Sequence, residues 1–194
     1  SLDGTLSIKD STIASNTASF AGGGVTSGGG TTFVSNSTVA GNTAPYGGGI
    51  RAIGETLSLT GATIDGNSAN HGGGVYVVSG STLDLVNTTI SGNSAGNGGG
   101  AYAESSSMDL IHATITGNSA GYGGGIHGIG SDVALRSSIV AGQATGADCV
   151  GDSFVSGGYN IESATSCGFS LASDQQNVLP AALDLGPLAP NAPG

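Results

Sequence analysis

Side chains suited to acid–base, metal or nucleophilic chemistry are scarce in this sequence: 8% of its 194 residues are charged, with 13 Asp and Glu against 3 Lys and Arg. Asp84 and Asp109, 25 residues apart, are the best-placed carboxylates. Glycoside hydrolysis needs paired carboxylates, and polysaccharide lysis needs a basic residue beside carboxylates that hold Ca²⁺. Two carboxylates on adjacent rungs repel unless a proton or cation intervenes, so this pair is a weak Ca²⁺ candidate, with solvated surface carboxylates the favoured reading. Arg51 and Arg136 stand too far apart to form a basic cluster, and His71, His112 and His127 share no phase of the repeat, as a metal site would favour. No catalytic residues and no cofactor are expected.

A second set of residues points to binding. Arg51, Tyr76, Tyr102 and His127 fall at one phase, while Tyr46, His71 and Tyr122 fall at another, just before glycine triplets. Exposed rings and hydrogen-bonding groups along a smooth strip can hold a glycan or another protein. The reading favoured over it by a narrow margin is that the rings pack on one another as cross-strand neighbours.

The phase comes from a repeat. Asn16, Asn42, Asn67, Asn93 and Asn118 are spaced by 26, 25, 26 and 25 residues, and Gln143 follows 25 later. Ile13, Val39, Ile64, Ile90 and Ile115 precede the asparagines by three, and triple glycines begin at Gly22, Gly47, Gly72, Gly98 and Gly123. Apolar columns such as Leu6, Thr32, Leu57, Leu83, Met108, Val133 alternate with mostly polar ones, the pattern of half-buried strands. Three short strands in about 25 residues cannot bury a core alone, so coils must stack. The expected fold is all-β, a right-handed parallel β-helix with three short strands per coil, regular over residues 1–145. Its Asn and Gln column becomes an amide ladder at a corner, and the Ser15/Gly41/Gly66/Gly92/Gly117/Gly142 column before it marks a bend with positive φ. The triplets lack the helix and Lys of a phosphate loop and read as tight wall. The column Thr12, Thr38, Thr63, Thr89, Thr114 is a weak ice-binding candidate, since one Thr column beside a corner is a narrow array.

Composition excludes some partners. A net charge of −10 argues against nucleic acid and anionic membrane surfaces, which need clustered cations, and no apolar run is long enough for a membrane helix. Cys149 and Cys167 lie outside the regular repeats with no metal-ligand pattern nearby, so a disulfide in an oxidising compartment is preferred over two buried thiols. They bracket an expected C-terminal cap at residues 146–172. Residues 173–194 carry Pro180, Pro187, Pro190 and Pro193 and read as an extended tail. The chain starts without Met inside a repeat, as a mature product or excised segment would.

The five [Ile/Val]-x-x-Asn motifs followed by Gly-Gly-Gly resemble the repeats of polymorphic outer-membrane proteins. Asp148–Gly151 (DCVG), Gly158–Ile161 (GYNI), Cys167–Phe169 (CGF) and Leu185–Asn191 (LGPLAPN) resemble the C-terminal end of bacterial choice-of-anchor Q β-helix proteins. The resemblance covers nearly the whole chain and implies a right-handed β-helix, secreted or held at a bacterial surface, with no catalytic residues to transfer. The expected function is a non-catalytic structural or adhesive element that associates with itself, end to end into fibres, or with other surface and matrix proteins. The alternative is a carbohydrate-binding or polysaccharide-degrading β-helix that uses the outward face of the third strand.

Overall fold

The computed structural model describes residues 4–183. It is a parallel β-solenoid in which each strand pairs with its counterpart one coil away. First strands run Thr5–Lys9, Thr31–Ser35, Thr56–Thr60, Thr82–Val86 and Ser107–Ile111. Second strands run Thr12–Ala14, Thr38–Ala40, Thr63–Asp65, Thr89–Ser91, Thr114–Thr116 and Ile139–Ala141. Third strands run Val25–Gly28, Ile50–Ile53, Val75–Val78 and Ala101–Glu104. The long strand Ile126–Arg136 serves as a third strand at its start and a first strand at its end, which joins those two walls into one 11-stranded sheet.

Register follows the columns of the sequence. Leu57, Leu83, Met108 and Val133 stack rung on rung, as do Ile64, Ile90, Ile115 and Val140, and all are buried. Strands spaced about 4.8 Å apart bring like aliphatic side chains into van der Waals contact along the whole axis. The corner before each Asn is left-handed throughout, with φ 58° at Ser15 and 62–67° at Gly66, Gly92, Gly117 and Gly142. The turn between first and second strands is left-handed too, at Asn36, Gly61, Asn87 and His112, which gives His112 a turn position open to the few residue types that tolerate positive φ.

Next to the left-handed corner, the asparagines form a continuous amide ladder. Asn67 Nδ2 donates to Asn93 Oδ1 at 2.9 Å and to Val39 O at 2.9 Å, and its backbone N–H donates to the same Asn93 Oδ1. Asn42, Asn93 and Asn118 repeat this set, with Gln143 Oε1 as the acceptor after Asn118. Asn42, Asn67, Asn93 and Asn118 are fully buried, while Asn16 at the ladder's end is exposed.

Two features depart from the expected coil. A fourth parallel stretch lies between the Asn corner and the glycines, paired as Ser94–Asn97 with Ser119–Tyr122 and elsewhere by single bridges such as Tyr46 with His71. Its polar residues alternate over too few positions to register as a strand in sequence. Residues 173–183 are not simply extended: Gln175 bridges Ile161, Asn177 N–H donates to Ala164 O at 3.0 Å, and Pro180–Leu183 form one helical turn. Pro187, Pro190, Pro193 and the Leu185–Asn191 motif lie outside the described residues.

The end of the solenoid is closed by a disulfide between Cys149 and Cys167, whose Cα atoms are 4.9 Å apart. Around it, buried carboxylates take the place of strand partners. Glu162 accepts from Cys167 N–H and Gln176 Nε2, each at 2.8 Å, and Asp148 accepts from Ser163 N–H at 2.9 Å. Phe169 completes the apolar floor.

Asn93→Ala leaves Asn67 N–H and one Asn67 amide hydrogen without their acceptor and takes one donor each from Ile64 O and Asn118 Oδ1, so it should cost about 3–5 kcal/mol in urea unfolding. The same change at exposed Asn16 should cost under about 1 kcal/mol; equal losses would refute the ladder as a stabilising device. Reducing the disulfide, which closes an 18-residue separation, should lower stability by about 3 kcal/mol, read as a drop in Tm in reductant that Cys149→Ala reproduces without it.

Candidate binding groove

The glycine triplets build the candidate site. At Gly47, Gly72, Gly98 and Gly123 the backbone has φ 61–64°, and a Cβ there would approach the Cβ of Arg51, Tyr76, Tyr102 or His127 to 2.7–2.9 Å. No side chain fits. The following glycines press against the next coil: a Cβ on Gly48 would lie 2.6 Å from Gly73 O, and one on Gly49 would lie 2.5 Å from Gly74 O. The chain therefore reverses sharply enough to set the outward column of the third strand beside the column that precedes the glycines.

Two columns of rings interlock across that reversal. Tyr46 stacks on His71 at 5.5 Å, Tyr76 stacks on Tyr102 at 5.3 Å, and the columns touch through Tyr46–Tyr76 at 5.8 Å and His71–Tyr102 at 5.4 Å. Tyr102 meets His127 edge-on at 5.2 Å, and Tyr122 reaches His127 at 6.4 Å. Offset and edge-to-face pairs at these separations are favourable beyond their buried area.

The rings therefore pack on one another, and the less favoured expectation of an exposed third-strand face is the one the structure corrects. Tyr76, Tyr102 and His127 point outward yet are only 6%, 5% and 8% exposed, because rings on the neighbouring stretch cover them. Accessible ring surface belongs instead to Phe20 and Tyr122, each 65% exposed, and to half-buried Tyr46 and His71. A groove forms between the columns, lined by Phe20, Tyr46, Arg51, His71, Tyr76, Tyr102 and Glu104. Phe20 and Glu104 are additions. Phe20 stands one residue before the pre-glycine column, and Glu104 reaches back across a coil; an aromatic two residues before a triplet was the one available signal.

Polar groups in the groove are unevenly satisfied. Tyr76 Oη donates to Glu104 Oε2 at 3.0 Å. Burial first, then that bond and the Glu104 charge, hold the Tyr76 phenol neutral well above the usual tyrosine range. Burial and Glu104 raise Tyr102 likewise. Asn97 Nδ2 lies 3.3 Å from His71 Nδ1. Arg51 sits over Phe20 at 5.7 Å and over Tyr76 at 6.0 Å from the ring centres, and its buried Nε has no hydrogen-bond partner. The one ion pair among the described residues is Lys9–Asp10 at 3.8 Å, so Arg51 has no carboxylate partner there.

The other candidates lie on a different face. Asp84 and Asp109 are rung neighbours on the first-strand wall. Burial, and then repulsion from Asp109, raise the Asp84 carboxyl above its usual range. They line a second groove with Ser58, Ile111, Arg136 and Val155. No cluster of three or more His, Cys, Asp and Glu side chains that could hold a metal occurs among the described residues.

His127 generates a pH prediction. Burial and then the nearby His71 charge lower its pKa below 6.5, opposed by Asp152. The unfolded chain then binds the proton more readily, so this contribution to stability is complete above about pH 6.5 and is lost as pH falls through the folded pKa. Wild type should unfold at lower urea at pH 5 than at pH 7.5, and His127→Phe, which keeps a ring and removes the proton, should narrow that difference. An unchanged difference would refute the assignment.

Comparison with known proteins supplies no relative for this chain: no family model matches it, nor does any curated protein or solved structure.

Proposed function

We propose that this chain is a non-catalytic extracellular β-helix that works as a rigid adhesive element, and that it grips polysaccharide in the ring-lined groove. The observation that carries the reading is the pairing of accessible ring faces on Phe20 and Tyr46 with the Tyr76, Glu104 and Arg51 polar groups in one open groove. Sugar rings present C–H faces that stack on aromatics and hydroxyl edges that hydrogen-bond, so this mixture of surfaces suits a glycan.

Binding without cleavage is the better fit. Glu104 is the one carboxylate that lines the groove, whereas glycoside hydrolysis uses two flanking the scissile bond. The stacked coils also make a stiff support, because each is hydrogen-bonded to its neighbours along the axis. The Cys149–Cys167 disulfide supports an oxidising, extracytoplasmic location.

Affinity electrophoresis through gels that contain soluble polysaccharides tests the reading. At least one neutral or acidic polysaccharide should retard the wild type, and Phe20→Ala or Tyr46→Ala, each confirmed folded by its Tm, should weaken that retardation about fivefold, the loss of one stacking face. A wild type that no polysaccharide retards overturns the proposal.

A further inference from the structure

We infer that the polysaccharide held in this groove is an acidic one, and that Arg51 recognises a single sugar carboxylate through the guanidinium N–H donors it presents to the groove. The inference rests on the glycan-binding reading above and names the class of sugar.

The starting observation is a charge left over. Arg51 lines the groove without a carboxylate partner among the described residues, and its buried Nε has no acceptor either, whereas nearly all buried polar groups in proteins are paired. Contacts with the faces of Phe20 and Tyr76 hold the guanidinium in place but use none of its N–H donors, which lie in its own plane. A carboxylate is planar, with two oxygens spaced to accept two parallel N–H bonds, so it answers the guanidinium charge and takes two of its exposed donors together. A neutral hydroxyl supplies one acceptor and leaves the charge unanswered.

Charge elsewhere narrows the class further. Glu104 lies in the same groove and already accepts from Tyr76, so a second ligand carboxylate near it meets repulsion. The chain as a whole carries −10, which disfavours densely charged polyanions. At physiological salt, fields decay over about 8 Å, so Arg51 dominates only its immediate surroundings. The ligand that fits is therefore a chain of uronic-acid sugars that places one carboxylate at Arg51 while ring faces contact Phe20 and Tyr46. Sulfated glycans share the anion but carry a tetrahedral group at higher charge density.

Isothermal titration with oligogalacturonate, oligomannuronate and oligoglucuronate, each beside its methyl ester, and with dextran sulfate tests this. The expected result is at least one acid that binds about tenfold or more tighter than its ester, the usual scale for hydrogen bonds to a charged group, with the advantage shrinking in high salt. Arg51→Gln should erase the advantage while leaving ester affinity in place, and Arg51→Lys, which keeps the charge and loses the fork, should restore part of it. Should Arg51→Gln fail to fold, the acid–ester comparison on the wild type decides alone. Equal binding of every acid and its ester, or preference for dextran sulfate, overturns the inference and leaves glycan binding intact. If no acid, ester or sulfated glycan binds, the inference falls, and glycan binding falls with it when no neutral polysaccharide retards the wild type in the gels.

Discussion

Each buried asparagine amide of the ladder gives both of its hydrogens away and has its oxygen doubly used. Asn93 Nδ2 bonds Asn118 Oδ1 and Ile64 O, while its Oδ1 takes the backbone and side-chain N–H of Asn67. That saturation fixes coil-to-coil register at the corner, since a one-residue slip would leave several buried groups unpaired on every rung. The aliphatic stacks supply the larger share of the burial, but they would tolerate small shifts. The amides do not, so the ring columns and the glycine reversals depend on the ladder for their alignment.

The triplets show a trade between backbone freedom and surface. Fifteen glycines in five triplets lose more conformational entropy on folding than other residues would. In return the wall closes against the next coil with no side chains between, and two outward columns come near enough to interlock. Tyr76 and Tyr102 are thereby turned from surface residues into packed ones, and they lend rigidity to the partly exposed rings of Tyr46 and His71. Arg51 occupies the same column one rung from Tyr76, where a ring would have completed the stack, and so breaks a pattern of packing with a charge.

The far end solves the problem of an exposed coil by different chemistry. Where the regular rungs stop, Asp148, Glu162 and Asp174 accept hydrogen bonds from Ser163, Cys167 and Asn160 backbone N–H groups, and the disulfide ties two of these segments together. Carboxylates that serve as strand substitutes, Asp148 and Glu162 buried and Asp174 half-buried, cannot be found by looking for periodicity, because none recurs from coil to coil.

The sequence by itself determined the coil. A 25-residue period, an aliphatic column three residues before each Asn and a left-handed position ahead of it permit one stacking solution, since strands that cannot bury their faces alone must pair with copies of themselves. The disulfide was also legible, as two cysteines outside the repeat. What only the tertiary structure decided was which outward residues meet water. Alternation along a strand assigns Tyr76, Tyr102 and His127 to the outer face correctly, but outer is not exposed: the reversal at Gly72, Gly98 and Gly123 lays a second ring column over them. The joining of Phe20, Arg51 and Glu104 around one groove depends on that same reversal and on side chains that cross from coil to coil, distances that spacing along a chain does not encode.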